Sequence, residues 1–104
     1  MMQLTQETRQ DWRVVTVRGR ADSETADRLE QELRDAVEQH KKVAVDFAGV
    51  DYISSAGLRA LIQAARAAQG RSELAICSLS APVKRVFDMS GMENIVTVHG
   101  ELPC

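Results

Sequence analysis

The sequence predicts a mixed α/β fold, in which one sheet contains parallel strands joined by crossover helices and an antiparallel pair precedes them. Two observations lead to this prediction. Strand-like and helix-like segments alternate along the chain, and two adjacent strand-like segments lie near its start. The length of 104 residues and the 44% of hydrophobic residues suit one compact domain with a modest core. Since no linker, low-complexity tract or internal repeat divides the chain, we expect a single domain over residues 1–104.

The first predicted elements are two strands and a helix. The run WRVVTVRG, from Trp12 to Gly19, is rich in β-branched residues and predicts a strand, and the polar segment from Leu4 to Gln10 could be its hairpin partner. Asp22 or Ser23 could cap the start of the helix that follows. The apolar stripe that predicts this helix consists of Ala26, Leu29, Leu33, Ala36 and Val37.

A further strand and helix are predicted on either side of a pair of serines. Lys42–Phe47, KVAVDF, is a short apolar run of strand length. After the serines, helical spacing of apolar residues continues as far as Gly70. The residues with this spacing are Leu58, Leu61, Ile62, Ala65 and Ala68.

The last part of the chain predicts a strand, a short helix and a final strand. Glu73–Leu79, ELAICSL, repeats the pattern of a buried strand. Pro82 and Gly91 punctuate a short helix predicted over Val83–Ser90. Asn94–His99, NIVTVH, is the last predicted strand.

Charge and hydropathy argue against several classes of partner. The formal net charge is -2 and the Lys and Arg residues are scattered, so the sequence lacks the basic stripe that nucleic acid or acidic lipid would require. The apolar runs are far shorter than the roughly 18 residues of a membrane span, and the first ten residues do not resemble a signal peptide. We therefore expect a cytoplasmic protein. Cys77 and Cys104 do not form a secreted disulfide framework, and we expect free thiols.

Two neighbouring hydroxyls lie where a predicted strand gives way to a predicted helix. Ser54 and Ser55 follow the run VDFAGVDYI and precede Ala56 and Gly57. A serine at this place can cap the free N–H groups of the helix. It can also carry a phosphate or act as a nucleophile, because the positive end of the helix dipole stabilises an anion. The pattern alone leaves both interpretations open.

The sequence around these serines does not match a known catalytic motif. A serine hydrolase elbow reads G-x-S-x-G, and the first glycine is absent here. His40 and His99 are the two histidines, and no feature of the sequence brings either one to the serines. No nucleotide-binding glycine motif and no Cys/His metal spacing occurs. We therefore expect no enzyme activity, no metal and no cofactor.

Other polar and apolar residues have both structural and functional interpretations. Asp22, Asp46 and Asp51 could form a carboxylate cluster, but such residues more often cap helices and close turns. Met89 and Met92 could belong to the edge of the core or to an adaptable contact surface, of which we favour the core.

Three blocks of the sequence together resemble the STAS domains of bacterial anti-sigma factor antagonists. They are GRADSETADRLEQEL from Gly19, VDFAGVDYISSAGLRAL from Val45 and APVKRVFDMSGM from Ala81. They occur in the order and approximate spacing of that family, and the resemblance covers nearly the whole chain. It implies a single STAS-type domain with a mixed sheet and helices packed mainly on one face.

The resemblance also implies a function in bacterial signalling by partner switching. The unphosphorylated antagonist binds an anti-sigma factor that is also a serine kinase, and so releases a sigma factor or another target. Phosphorylation of the antagonist ends this binding, and a serine phosphatase resets it. The antagonist would be a monomer or weak dimer and not an enzyme. The alternative is a STAS module that does not switch, and instead acts as a scaffold or binds a small ligand.

The family pattern indicates which residues would carry the switch. The phosphorylated serine opens the helix two residues before a glycine, which makes Ser55 the predicted acceptor and Gly57 that glycine. Ser54 stands where many relatives have aspartate, and is a competing acceptor. Ala56 stands where relatives have serine or threonine. Asp22 matches an aspartate that supports recognition of the phosphorylated serine, and the segment Gly57–Arg59, which includes Leu58, would line the contact surface.

Overall fold

A computed structural model describes residues 2–104 of the protein. Its first two strands form an antiparallel hairpin. Strand β1 (Met2–Arg9) pairs with β2 (Trp12–Ala21), and the register joins Arg9 to Trp12 across a two-residue turn. Gln10 in this turn has a positive φ of 55°, a conformation that tight hairpins require. The predicted antiparallel pair at the start of the chain is confirmed.

Three further strands run parallel to β2 in one five-stranded sheet, with strand order β1-β2-β3-β4-β5. The helices connect consecutive parallel strands. Right-handed crossovers between strands in sequential order bring every helix to the same face, as predicted. The bounds are β3 Lys42–Ile53, β4 Glu73–Cys77, β5 Thr97–His99, α1 Ala26–Gln39, α2 Ser55–Ala68 and α3 Ala81–Ser90, followed by a 3₁₀ turn at Met92–Asn94.

Every strand differs somewhat in length from its predicted bounds, and β3 and β5 differ most. β4 ends at Cys77, two residues before the predicted end at Leu79. β3 continues past Phe47 to Ile53, because residues 49–53 pair with the end of β2 after two shifts of register. These residues lack the apolar alternation of an ordinary strand, so the sequence pattern did not reveal them. The last strand is shorter than predicted, because the 3₁₀ turn occupies Met92–Asn94 and pairing with β4 begins at Thr97.

The start of α1 also differs from the prediction. Neither Asp22 nor Ser23 is the N-cap of the helix, because Thr25 occupies that position. The carbonyl of Asp22 accepts hydrogen bonds from the N–H groups of Thr25 and Ala26, at 3.2 and 2.9 Å. Asp22 therefore closes the turn that leads into α1, and the helix begins one residue after Thr25.

The main core lies between the sheet and its helices. All five residues of the predicted α1 stripe are buried there, and Phe47 of β3 and Phe87 of α3 have no exposed surface. Burying side chains of this size stabilises the fold by about 1.5–3 kcal/mol each. Met92 joins this core, whereas Met89 is 87% exposed, so our prediction of a core position is correct for Met92 and wrong for Met89.

A smaller apolar cluster lies on the opposite face of the sheet. Its buried members are Trp12, Val14, Ala44, Ala75 and Cys77, against which Leu102 and Cys104 pack. Both cysteines are free, as predicted. Among residues 2–104, no helix is long and apolar enough to cross a membrane.

Candidate functional site

The serine pair and Asp22 come together because β2 and β3 are parallel. The carboxyl ends of neighbouring parallel strands lie at the same edge of a sheet. Here Ala21 pairs with Ile53 at that edge, and the N–H of Ser54 donates a 2.9 Å hydrogen bond to the carbonyl of Ala21. The turn that begins at Asp22 therefore lies beside the start of α2.

The two serine hydroxyls have different environments. Ser54 is the N-cap of α2, with an extended backbone, and its half-buried side chain accepts a 3.3 Å hydrogen bond from the N–H of Gly57. Ser55 is the first residue of the helix and is exposed. Within residues 2–104 its hydroxyl has no hydrogen-bond partner. The capping role belongs to Ser54, which leaves the hydroxyl of Ser55 accessible.

Gly57 allows the helix to approach the sheet at this point. A Cβ atom on Gly57 would lie 2.5 Å from the carbonyl oxygen of Ala21 and 2.8 Å from Cγ1 of Ile53. Both distances are shorter than the 3.0 Å below which real Cβ contacts are essentially absent. The glycine thus holds the serine pair against the ends of β2 and β3. The sequence analysis identified Gly57 from the family pattern alone and missed this packing reason.

Asp22 is held in place by its own turn. Its carboxylate accepts hydrogen bonds from the N–H of Glu24, at 3.0 Å, and from the hydroxyl of Thr25, at 3.2 Å. Desolvation alone would raise the pKa of Asp22, but these hydrogen bonds and the nearby charge of Arg20 outweigh it and lower the pKa. The carboxylate is therefore ionised at neutral pH and fixed in orientation.

Two further side chains at this edge were missed by the sequence analysis. Arg20 and Tyr52 are register partners at the ends of β2 and β3. The guanidinium carbon of Arg20 lies 4.1 Å from the centre of the Tyr52 ring, and its Nε lies 3.6 Å from Oδ2 of Asp22. Only the strand register brings these residues together, and a single sequence does not reveal the register.

The other predicted contact residues lie along the first turn of α2. Ala56 and Leu58 are half-buried and pack against the main core. Arg59 is exposed and lies four residues after Ser55, so both occupy the same face of the helix. The exposed surface at the start of α2 therefore includes Ser55 and Arg59, next to the Asp22 turn.

The remaining polar candidates lie elsewhere. The side chain of Asp46 accepts a hydrogen bond from the N–H of Ala48 within β3. This contact indicates a local structural role. His40 ends α1 at the amino edge of the sheet, and His99 belongs to the edge strand β5. Within residues 2–104, no three His, Cys, Asp or Glu side chains converge as metal ligands would.

The sequence is similar over most of its length to one family. The family described as "Mlab, STAS domain" matches residues 4–97. BtrV of Bordetella bronchiseptica, whose name assigns it as an anti-sigma factor antagonist, is 36% identical over 99 residues. This similarity covers 93% of the chain and 85% of BtrV.

Solved structures share the fold. An anti-sigma factor antagonist from Mycobacterium paratuberculosis superposes with a TM-score of 0.89 at 20% identity, covering 98% of this chain and 88% of that one. The Bacillus cell fate determinant SpoIIAA in its phosphorylated form superposes with a TM-score of 0.68 at 16% identity, covering 97% of this chain and 93% of that one.

The five-stranded mixed sheet with helices on one face is thus the fold of the structurally solved anti-sigma factor antagonists. The chain belongs to the STAS domain family, with anti-sigma factor antagonists among its sequence relatives. The family and the fold predicted from the three sequence blocks are both confirmed.

Proposed function

We propose that this protein is an anti-sigma factor antagonist whose binding is switched by phosphorylation of Ser55. The unphosphorylated form binds an anti-sigma factor that is also a serine kinase, and so releases its sigma factor or another target. Phosphorylation ends the binding, and a serine phosphatase restores it. The observation that carries the proposal is the division of roles between the serines: Ser54 caps α2, and Ser55 leaves an exposed hydroxyl at the same helix end.

A phosphate on Ser55 is compatible with the folded domain. It adds about -1.5 to -2 charges and three acceptor oxygens. The N-terminal end of a helix stabilises such an anion by roughly 0.3–1 kcal/mol at an exposed position. Ser55 is exposed, so the added group meets water and does not have to displace core side chains. We therefore expect phosphorylation to leave the fold intact.

The same phosphate would weaken the complex with the partner. A dianion buried against an apolar or acidic surface must lose its water, which costs several kcal/mol unless a cation pairs with it. Since each 1.4 kcal/mol corresponds to about tenfold in affinity, this penalty suffices to convert binding into release.

The proposed contact surface surrounds the serine pair. It includes the Asp22 turn and residues 56–59 at the start of α2, with Ser54 as the competing phosphate acceptor. The protein itself would act as a single STAS domain, a monomer or weak dimer that needs no cofactor and catalyses no reaction. Its partners would be a kinase and a phosphatase of the cytoplasm, so the proposal also places the protein there.

The relatives support this proposal. BtrV is named as an anti-sigma factor antagonist, and so is a relative from Paenibacillus polymyxa that acts on anti-sigma F factor and is 25% identical over 89 residues. SpoIIAA, which shares the fold, has been solved in unphosphorylated and phosphorylated forms.

The proposal is tested by calorimetric titration of the protein with the anti-sigma factor kinase encoded in the same genome. Ser55→Ala is expected to stay bound to the kinase in the presence of ATP. Ser55→Asp should bind at least about tenfold more weakly than the unphosphorylated wild-type protein. Ser55→Asn is the matched control, because it has the size of aspartate without its charge.

Equal affinities for the Asp and Asn variants would contradict electrostatic release. Stable binding of the kinase without phosphorylation, whatever residue stands at position 55, would favour the alternative of a non-switching STAS scaffold.

A further inference from the structure

Arg20 and Tyr52 form a stacked pair at the end of β2 and β3, which we call the Arg20–Tyr52 platform. The guanidinium carbon lies 4.1 Å from the ring centre. At this distance the positive charge is attracted to the face of the ring, and the attraction strengthens when water is removed. Tyr52 is 41% exposed and is one of three exposed large hydrophobic residues in the described part of the chain.

Two neighbouring side chains orient the guanidinium of Arg20, and its capacity to donate hydrogen bonds is not used by them. Oδ2 of Asp22 lies 3.6 Å from Nε of Arg20, and the central carbon of the guanidinium lies over the ring of Tyr52. Within residues 2–104, the two terminal nitrogens of the guanidinium donate no hydrogen bond. A planar guanidinium whose terminal nitrogens donate no hydrogen bond is suited to bidentate binding of a carboxylate.

The platform lies next to the proposed phosphorylation site but on the other side of the sheet edge. Ala21 and Ile53 belong to the main core, under the helices. Since neighbouring residues of a strand point to opposite faces, Arg20 and Tyr52 point away from α2. A protein that covers Ser55 and continues over the carboxyl ends of β2 and β3 would therefore also cover the platform.

We propose that Arg20, stacked on Tyr52, anchors an acidic side chain of the kinase partner. This inference rests on the proposed function, since it names a second contact of the same complex. Arginine and tyrosine are enriched among the residues that dominate binding energy at protein interfaces. The guanidinium is already oriented by the Tyr52 ring and the Asp22 carboxylate, so little of its freedom is lost when a carboxylate binds.

The test is a calorimetric titration of the anti-sigma factor kinase from the same genome with a set of variants. Arg20→Ala is expected to weaken binding about tenfold to hundredfold. The affinity of Arg20→Lys should lie between those of the wild-type protein and Arg20→Ala, because lysine keeps the positive charge and lacks the planar guanidinium. Tyr52→Phe should bind like the unmodified protein, since phenylalanine keeps the aromatic face, whereas Tyr52→Ala should bind more weakly.

Arg18→Ala is the matched control, since Arg18 is an exposed arginine two residues earlier on β2. Thermal unfolding of every variant separates loss of binding from loss of fold. If Arg20→Ala binds within about twofold of the unmodified protein while Ser55→Asp is released, the platform proposal is wrong and the switch stands. If the unmodified protein does not bind the kinase, the proposed function is wrong and the platform proposal falls with it.

Discussion

Replacing Gly57 by alanine tests whether close packing at the start of α2 positions the serine pair. The added Cβ would lie 2.5 Å from the carbonyl oxygen of Ala21, about 0.5 Å closer than real Cβ contacts allow. This oxygen cannot easily move, because it belongs to the backbone of β2 and also accepts the 2.9 Å hydrogen bond from Ser54. The helix start must therefore shift away from the sheet.

The expected cost follows from two opposing effects. Overpacking of a well-packed site costs about 1–3 kcal/mol. Alanine is favoured over glycine in a helix by roughly 0.8–1.0 kcal/mol, and part of this gain offsets the clash. We expect a net loss of about 1–2 kcal/mol in the free energy of unfolding. For a domain of this size that corresponds to a fall in Tm of about 4–16 °C.

The assay is urea and thermal unfolding of Gly57→Ala beside Gly49→Ala. A Cβ on Gly49 would approach the side chain of Arg18, with Cγ at 2.8 Å, and the exposed arginine can rotate away. Gly49→Ala should therefore lose less stability than Gly57→Ala. Amide chemical shifts of Ser54 and Ser55 should change in the Gly57 variant. Unchanged stability and unchanged shifts for Gly57→Ala would refute the packing argument.

Two further predictions concern the serines and the cysteines. Ser54→Ala should lower the free energy of unfolding by about 0.5–2 kcal/mol, because it removes the cap of α2. Ser55→Ala should change it by less than about 0.5 kcal/mol. Urea unfolding checks both, and the reverse order would contradict the assigned roles. Burial raises the pKa of the Cys77 thiol to about 11, so at pH 8 a thiol reagent should label Cys104 quickly and Cys77 only after unfolding. Equal native labelling rates would show that Cys77 is accessible.

Local patterns predicted most of the fold. The stripe of α1 and the apolar cores of β2, β3 and β4 are buried as their spacing predicts, since periodicity reports directly which face of an element is covered. The second half of β3 was not predicted, because its pairing with β2 involves shifts of register and its residues do not alternate between apolar and polar. The exposure of Met89 was not predicted, because the helical spacing of apolar residues does not indicate where the core ends.

The candidate site was predicted only in part. A junction of strand and helix marked Ser54 and Ser55, but which hydroxyl caps the helix depends on hydrogen-bond geometry that the pattern leaves open. The closeness of Gly57 to Ala21 and the stacking of Arg20 on Tyr52 both depend on tertiary contacts between distant parts of the chain. A single sequence carries no direct signal for such contacts.

The central claim is that Ser55 is the phosphorylated residue of a partner switch. It is tested most directly by mass spectrometry of the intact protein and its peptides after incubation with ATP and the anti-sigma factor kinase from the same genome. The account predicts one added phosphate that maps to Ser55 and is absent from Ser55→Ala. A phosphate on Ser54 would contradict the assigned acceptor, and no phosphate at all would contradict the switch.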